Sequence, residues 1–129
     1  DCTTPVPGAL LDVWHANEKG DYYDASENYR LRGQIKTADD GSYAIRTIKP
    51  GRYRTAGGLR PAHIHFTISS PKHGPLTTQM YFAGDPQLAP TDPCGVCASD
   101  DPTLIVDFRE EQRDGESWLV GQFDIVLGG

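Results

Sequence analysis

The stretch Leu59-Arg60-Pro61-Ala62-His63-Ile64-His65-Phe66 decides how this chain is read. His63 and His65 are two residues apart, and side chains alternate across a β-strand, so both imidazoles share one face. Ile64 and Phe66 then point to the opposite face, into apolar packing. Pro61 has no N–H to give to a ladder, so it belongs at or before the strand's first residue. Two adjacent imidazoles on a rigid strand are half of a metal site. A His pair that is merely half-buried or solvated is the competing reading, and the flanking sequence has to separate the two.

On both sides the pattern is one of short strands and turns. Residues 5 to 14 read as a turn and then a strand, with Ala9, Leu11 and Val13 on one face and Leu10, Asp12 and Trp14 on the other. A polar loop from His15 to Gly20 leads to Asp21-Tyr22-Tyr23-Asp24, and residues 24 to 30 read as an irregular surface segment. Leu31 to Thr37 alternates as a strand with one apolar face. Asp39-Asp40-Gly41 is a turn signal, and Ser42 to Ile48 is the expected returning strand. Lys49-Pro50-Gly51 turns again into Arg52-Tyr53-Arg54, and Thr55 to Gly58 reads as a flexible loop. The His strand continues through Phe66, Ile68 and Ser70. After a loop at Pro71 to Pro75, Leu76 to Phe82 forms another strand, rich in β-branched and aromatic residues. Gly84 to Asp101 is a Pro-rich surface excursion. Leu104 to Phe108 is a short strand, Glu110 to Ser117 a charged hairpin turn around Asp114-Gly115, and Trp118 to Leu127 the closing strand. These features predict an all-β chain, an antiparallel or mixed β-sandwich with long connecting loops and little helix.

The 129 residues are one domain's worth. A net charge of −6 argues against nucleic acid or an anionic membrane as partner, since both call for a basic face. No apolar run approaches a membrane span. No signal peptide is visible, and Asp1 reads as mid-protein sequence, so residues 1–129 are expected to be a single domain that lacks an upstream segment. Cys94-Gly95-Val96-Cys97 is open to three readings: half a zinc site, a redox pair, or a disulfide. A zinc ribbon needs a second pair, which the chain does not have. At least one disulfide is expected among Cys2, Cys94 and Cys97, joining Cys2 to the Cys94/Cys97 segment, with an extracellular origin; three free thiols would return the localisation to the cytoplasm.

Tyr22 and Tyr53 each follow a glycine at a loop entry, where a side chain is aimed at a site rather than packed in a core. Iron(III) is a hard cation that favours phenolate oxygen and accepts imidazole, and its charge would deprotonate a tyrosine that bound it.

The segment Asp12-Val-Trp-His-Ala-Asn-Glu-Lys-Gly20-Asp-Tyr22 resembles a loop of the intradiol ring-cleavage dioxygenases, the family of catechol 1,2- and protocatechuate 3,4-dioxygenases. Ile48-Lys-Pro-Gly-Arg-Tyr53 resembles its second tyrosine segment, and Arg60-Pro-Ala-His63-Ile-His65-Phe66 its histidine strand. Leu76-Thr-Thr-Gln79-Met-Tyr-Phe-Ala-Gly84-Asp85 resembles the strand that follows. The motifs fall in family order across residues 8 to 85, and their combination is far more specific than any one of them. The resemblance implies a mononuclear non-haem Fe(III) held by Tyr22, Tyr53, His63 and His65. It implies that Arg60 stabilises negative charge on the substrate, that Gln79 hydrogen-bonds beside the site, and that Tyr53 acts in catalysis. The substrates would be a small catechol and O2, and the products of cis,cis-muconic acid type. The Cys-bearing excursion departs from the intracellular pattern and is more like the family's secreted branch.

Plainer readings stand beside these. Arg60 could be a surface arginine paired with one of the 18 acids. Asp12 could orient an imidazole or be a simple edge charge. His15 reads as a structural or supporting residue, His73 as exposed, and Tyr43, Tyr81, Trp14 and Trp118 as core. The whole chain could instead be a non-catalytic, transthyretin-like β-sandwich that binds a ligand. A zinc or copper site built on the His pair would need a further His or carboxylate in place of the tyrosines. The sequence does not choose a catechol or an oligomeric state.

Overall fold

A computed structural model describes residues 3–128. Among the described residues the chain is all-β, apart from a 3-10 turn at Ala25–Glu27. Its main sheet combines β1 (Leu10–Trp14), β2 (Arg32–Lys36), β5 (His63–Ser70), β6 (His73–Phe82) and β7 (Ile105–Val106) in the order β2-β1-β5-β6-β7. All neighbours are antiparallel except β6 and β7, which makes the sheet mixed. Two small hairpins complete the strands: β3 (Arg54–Thr55) with β4 (Gly58–Leu59), and β8 (Arg109–Arg113) with β9 (Glu116–Val120). Among the described residues no helix is long and apolar enough to cross a membrane.

The pleat divides the sheet into two chemical faces. Leu11, Val13, Ile64, Phe66, Ile68, Met80, Phe82 and Val106 are buried together. The register sets Val13 opposite Phe66, Leu11 opposite Ile68, and Ile64 opposite Met80. Tyr43, Phe108, Phe123, Ile125 and Leu127 cover this face from the second layer of the sandwich. Burying an aliphatic or aromatic side chain of this size contributes about 1.5–3 kcal/mol, so this face supplies most of the fold's driving force. The opposite face carries Trp14, His63, His65, Gln79 and Tyr81. The same register sets His65 between Trp14 and Gln79, and His63 opposite Tyr81.

Several expectations are corrected. Ser42–Ile48 and the end of Trp118–Leu127 alternate in sequence, yet only the stretch up to Val120 pairs as a strand. Alternation reports which side of a segment packs, not whether its backbone finds a ladder, and Tyr43 and Phe123 do pack inward. Thr55 to Gly58 closes the β3–β4 hairpin instead of forming a loose loop. The Pro71–Pro75 loop shrinks to the turn at Pro71 and Lys72, because β6 begins at His73. His73 is half-buried, its Nδ1 3.0 Å from the Gly128 carbonyl. Trp14 and Trp118 are half-buried rather than core. Cys94 is disulfide-bonded to Cys97, which leaves neither for Cys2; Cys2 itself lies outside the described residues. Their Cα atoms are 5.4 Å apart, within the ordinary span of a disulfide.

Candidate metal centre

Strand alternation brings His63 and His65 side by side on the polar face of β5. The His63 Nδ1–H donates to the Pro61 carbonyl at 2.7 Å, which fixes the tautomer and leaves Nε2 with a bare lone pair. That Nε2 stands 3.1 Å from Nε2 of His65. Two nitrogens each about 2.1 Å from one ion, at roughly a right angle, would stand about this far apart. The His65 ring is stacked on Trp14, with centroids 4.9 Å apart and planes 2° from parallel. Arg32 covers the other face of Trp14 and is held by Asp12, so Asp12 serves this stack and no imidazole.

The tyrosines arrive on loops. The Tyr22 hydroxyl is 2.9 Å from His65 Nε2, so the phenol is 40% exposed as a residue while its oxygen points inward. Tyr53 meets Tyr22 edge to face at 5.4 Å and lies 5.2 Å from the His63 ring. Two glycines let their loops press together. The Gly51 and Gly20 N–H groups both donate to the Asn17 carbonyl, at 2.8 and 3.0 Å. A Cβ on Gly51 would strike the Glu18 carbonyl, and one on Gly20 would strike that of Arg52; Gly20 also needs φ of +89°. An open cleft of about 580 Å³ borders both phenols and is lined besides by Lys19, Asp21, Arg52, Arg54 and Leu59.

Arg60 is not a surface arginine: it is 4% exposed. Its Nε and Nη2 donate to the two oxygens of buried Asp92 at 3.0 and 3.1 Å. Nη2 also donates to Gln79 Oε1 at 3.0 Å, and Nη1 to the Tyr53 hydroxyl at 3.3 Å. Burial opposes the guanidinium's charge, but the bonds to Asp92 and Tyr53 outweigh it and hold Arg60 more firmly protonated than usual. Removing one partner of such a buried pair typically costs about 3–5 kcal/mol.

The electrostatics suit neutral nitrogen ligands. Burial, with Arg60 nearby, pushes His63 down to about 4. Burial, the His63 ring and Arg60 push His65 down to about 3. Both imidazoles are therefore uncharged at neutral pH. Burial first, and then Tyr53, raises the Tyr22 phenol well above its ordinary range. The Tyr22 phenol would need a cation beside it to ionise, and a bound metal ion is such a cation. Among the described residues no third His, Cys, Asp or Glu side chain clusters with the His pair, so the further His or carboxylate that a zinc or copper site would call for does not stand beside it. The donor set of two phenols and two imidazoles fits a hard trivalent ion.

All six residues expected at the site come together: Tyr22, Tyr53, Arg60, His63, His65 and Gln79. His15 is not one of the converging donors: it is buried, with Nδ1 on the Ala16 carbonyl and Nε2 on Thr47, and it adds to the groups that depress His65. The sequence reading missed Asp92, which sits in an excursion expected to be surface, and it read Tyr81 and Trp14 only as core. Tyr81 is fully buried, but its hydroxyl lies 2.7 Å from both Gln79 Oε1 and the Cys97 carbonyl. A signal for Trp14 and Tyr81 was present, because both share the parity of the His pair across the sheet.

A family model described as Dioxygenase matches residues 2–129. The chain is 36% identical over 143 residues to a chlorocatechol 1,2-dioxygenase of Rhodococcus opacus, covering 96% of this chain and 54% of that one. The structure of the catechol 1,2-dioxygenase of Acinetobacter sp. ADP1 superposes with a TM-score of 0.82 at 30% identity, over 96% of this chain and 48% of that one. The dioxygenase domain of a dioxygenase–carbohydrate-binding protein fusion from Streptomyces sp. SirexAA-E gives a TM-score of 0.67 at 35% identity, over 88% and 65% of the two chains. The chain spans about half the length of the curated relatives it matches.

Proposed function

The chain belongs to the intradiol ring-cleavage dioxygenases, and from that premise we propose that it cleaves catechol-type aromatic diols with O2, using one ferric ion held by Tyr22, Tyr53, His63 and His65. The products are of cis,cis-muconic acid type. The observation that carries this reading is the convergence of the four donors, with Tyr22 Oη 2.9 Å and His63 Nε2 3.1 Å from His65 Nε2. A β-sandwich that only bound a ligand would have no use for that quartet beside a buried arginine.

When bound, the ferric ion supplies Lewis acidity that draws electron density from the two oxygens of a catechol and opens the ring to reaction with O2. The protein's own residues do the rest. The cleft beside Tyr22 and Tyr53 admits a planar ring. The Tyr53 oxygen stands at the cleft wall; held as a phenolate by the ferric ion, it would accept the proton that a catechol hydroxyl loses on binding and so become the neutral phenol. Arg60 Nη1, 3.3 Å from that oxygen, faces the place where negative charge develops on the ring. Gln79 holds the guanidinium through Nη2. Trp14 and the Pro61 carbonyl keep the two imidazoles from rotating.

The Cys94–Cys97 disulfide supports an extracellular origin, because oxidising compartments preserve such bonds. The functional test is a panel of catechol, protocatechuate and hydroxyquinol, followed by oxygen uptake and product mass. The expected result is one O2 consumed per ring opened, with both oxygen atoms in the product. No ring-opened product from any of the three, in iron-loaded protein, would sink the reading.

A further inference from the structure

Asp92 is a buried carboxylate that the metal-donor set does not use. Its side chain is 0% exposed, and that of its partner Arg60 is 5% exposed. It belongs to the excursion after β6, outside the four motifs that form the centre. A guanidinium is a rigid planar fork with five N–H groups. Asp92 takes Nε and one Nη2 hydrogen as a bidentate pair, and Gln79 Oε1 takes the other side of Nη2. That edge of the fork is consumed. Nη1 is left turned towards the Tyr53 hydroxyl. Asp92 is fixed in turn: its Oδ1 accepts the Cys94 N–H at 3.0 Å, in the loop that the Cys94–Cys97 disulfide closes. The same loop accepts the Tyr81 hydroxyl at the Cys97 carbonyl.

Resting on the function proposed above, we infer that Asp92 is a positioning residue: it selects which edge of Arg60 faces the substrate, and the disulfide-closed loop is thereby part of the catalytic apparatus. The carboxylate also balances the charge of Arg60, so that an arginine can sit beside a metal cation without being repelled from it. Asp92 never touches the substrate and acts only through Arg60.

The test is a cycle of Asp92→Asn, Arg60→Ala and the double variant, each measured with iron and without it. In iron-loaded protein, Asp92→Asn keeps the iron content and visible band of the wild type, while kcat per iron falls about 10–100-fold, the range for a group that orients a working residue, and KM changes little. Arg60→Ala in the Asp92→Asn background falls no further than Arg60→Ala alone. A wild-type kcat in Asp92→Asn, or losses that simply multiply, would overturn the positioning role. In iron-free protein each single variant lowers Tm by about 10 °C, and the double variant by much less than the sum; additive Tm losses would overturn the link. If Asp92→Asn does not accumulate as folded protein, Asp92→Glu keeps the charge and displaces the fork, and a full-rate Asp92→Glu counts against the inference. Wild-type protein without iron or catechol turnover overturns the functional reading and the positioning role with it, whereas wild-type turnover alongside a full-rate Asp92→Asn overturns the positioning role alone.

Discussion

One half of the centre stands on strands and the other on loops, and the two halves are held by different physics. His63, His65, Gln79, Tyr81 and Trp14 occupy one face of β1, β5 and β6, and a ladder of backbone hydrogen bonds fixes their spacing. Their neighbours in sequence, Val13, Ile64, Phe66 and Met80, form the core on the other face. Moving this half means moving the core. Tyr22, Tyr53 and Asp92 reach the site from segments without a ladder, through Asn17, the two glycines and the Cys94–Cys97 loop. Rigid strands can hold paired nitrogens at a set distance. Loops are where the partner oxygens can be brought in from far away in the chain, at the cost of depending on a few tight contacts.

The largest effect is expected on the strand side. His65→Ala removes a donor without disturbing the pleat, so the protein should fold with a melting temperature close to that of the iron-free wild type yet lose iron and all measurable ring cleavage. Elemental analysis and a thermal melt check both parts. Arg60→Ala comes next: iron and colour stay, and turnover on a good catechol falls about a hundredfold, as for loss of one preorganised charge-stabilising group. Stopped-flow kinetics normalised to iron measures it, and near-wild-type turnover would mean that Arg60 only supports the fold.

Gly51→Ala tests the loop side. Its Cβ meets backbone, which cannot step aside cheaply, so about 2 kcal/mol of stability should be lost together with part of the visible band. Gly33→Ala on β2, where a Cβ meets nothing within 4 Å, is the control and should change stability by less than about 0.5 kcal/mol. Urea melts followed at the visible band and by circular dichroism compare the pair. The smallest effect is expected for the double variant Cys94→Ser/Cys97→Ser. Asp92 keeps its bond to the residue-94 N–H but loses the closed loop, so turnover should fall only about three- to tenfold, at the low end for an orienting group.

What the sequence revealed follows the same division. The β1, β2, β5 and β6 strands and the His pair could be read from alternation alone, because period two sorts side chains to faces without any tertiary knowledge. Tyr22 and Tyr53 were marked only by the glycines at their loop entries and became a ligand set through resemblance, since no periodicity aims a loop residue at a point. Asp92 was hidden for the same reason: a carboxylate in a Pro-rich excursion looks solvated until Arg60 is known to be beneath it. Tyr81 and Trp14 were given to the core because aromatic residues on strands usually are. Their parity with His63 and His65 was the overlooked clue. The Ser42–Ile48 and Gly121–Leu127 segments failed the other way: they alternate, and Tyr43, Phe123, Ile125 and Leu127 pack inward, but neither segment pairs as a strand.

The central claim is that the strand nitrogens and loop oxygens close on one ferric ion. Elemental analysis of protein purified without chelator, combined with its visible spectrum, tests this most directly. The account predicts about one iron per chain and a tyrosinate-to-iron charge-transfer band that makes the concentrated protein red and that shifts or weakens in Tyr53→Phe. Stoichiometric zinc with no iron and a colourless protein would contradict it.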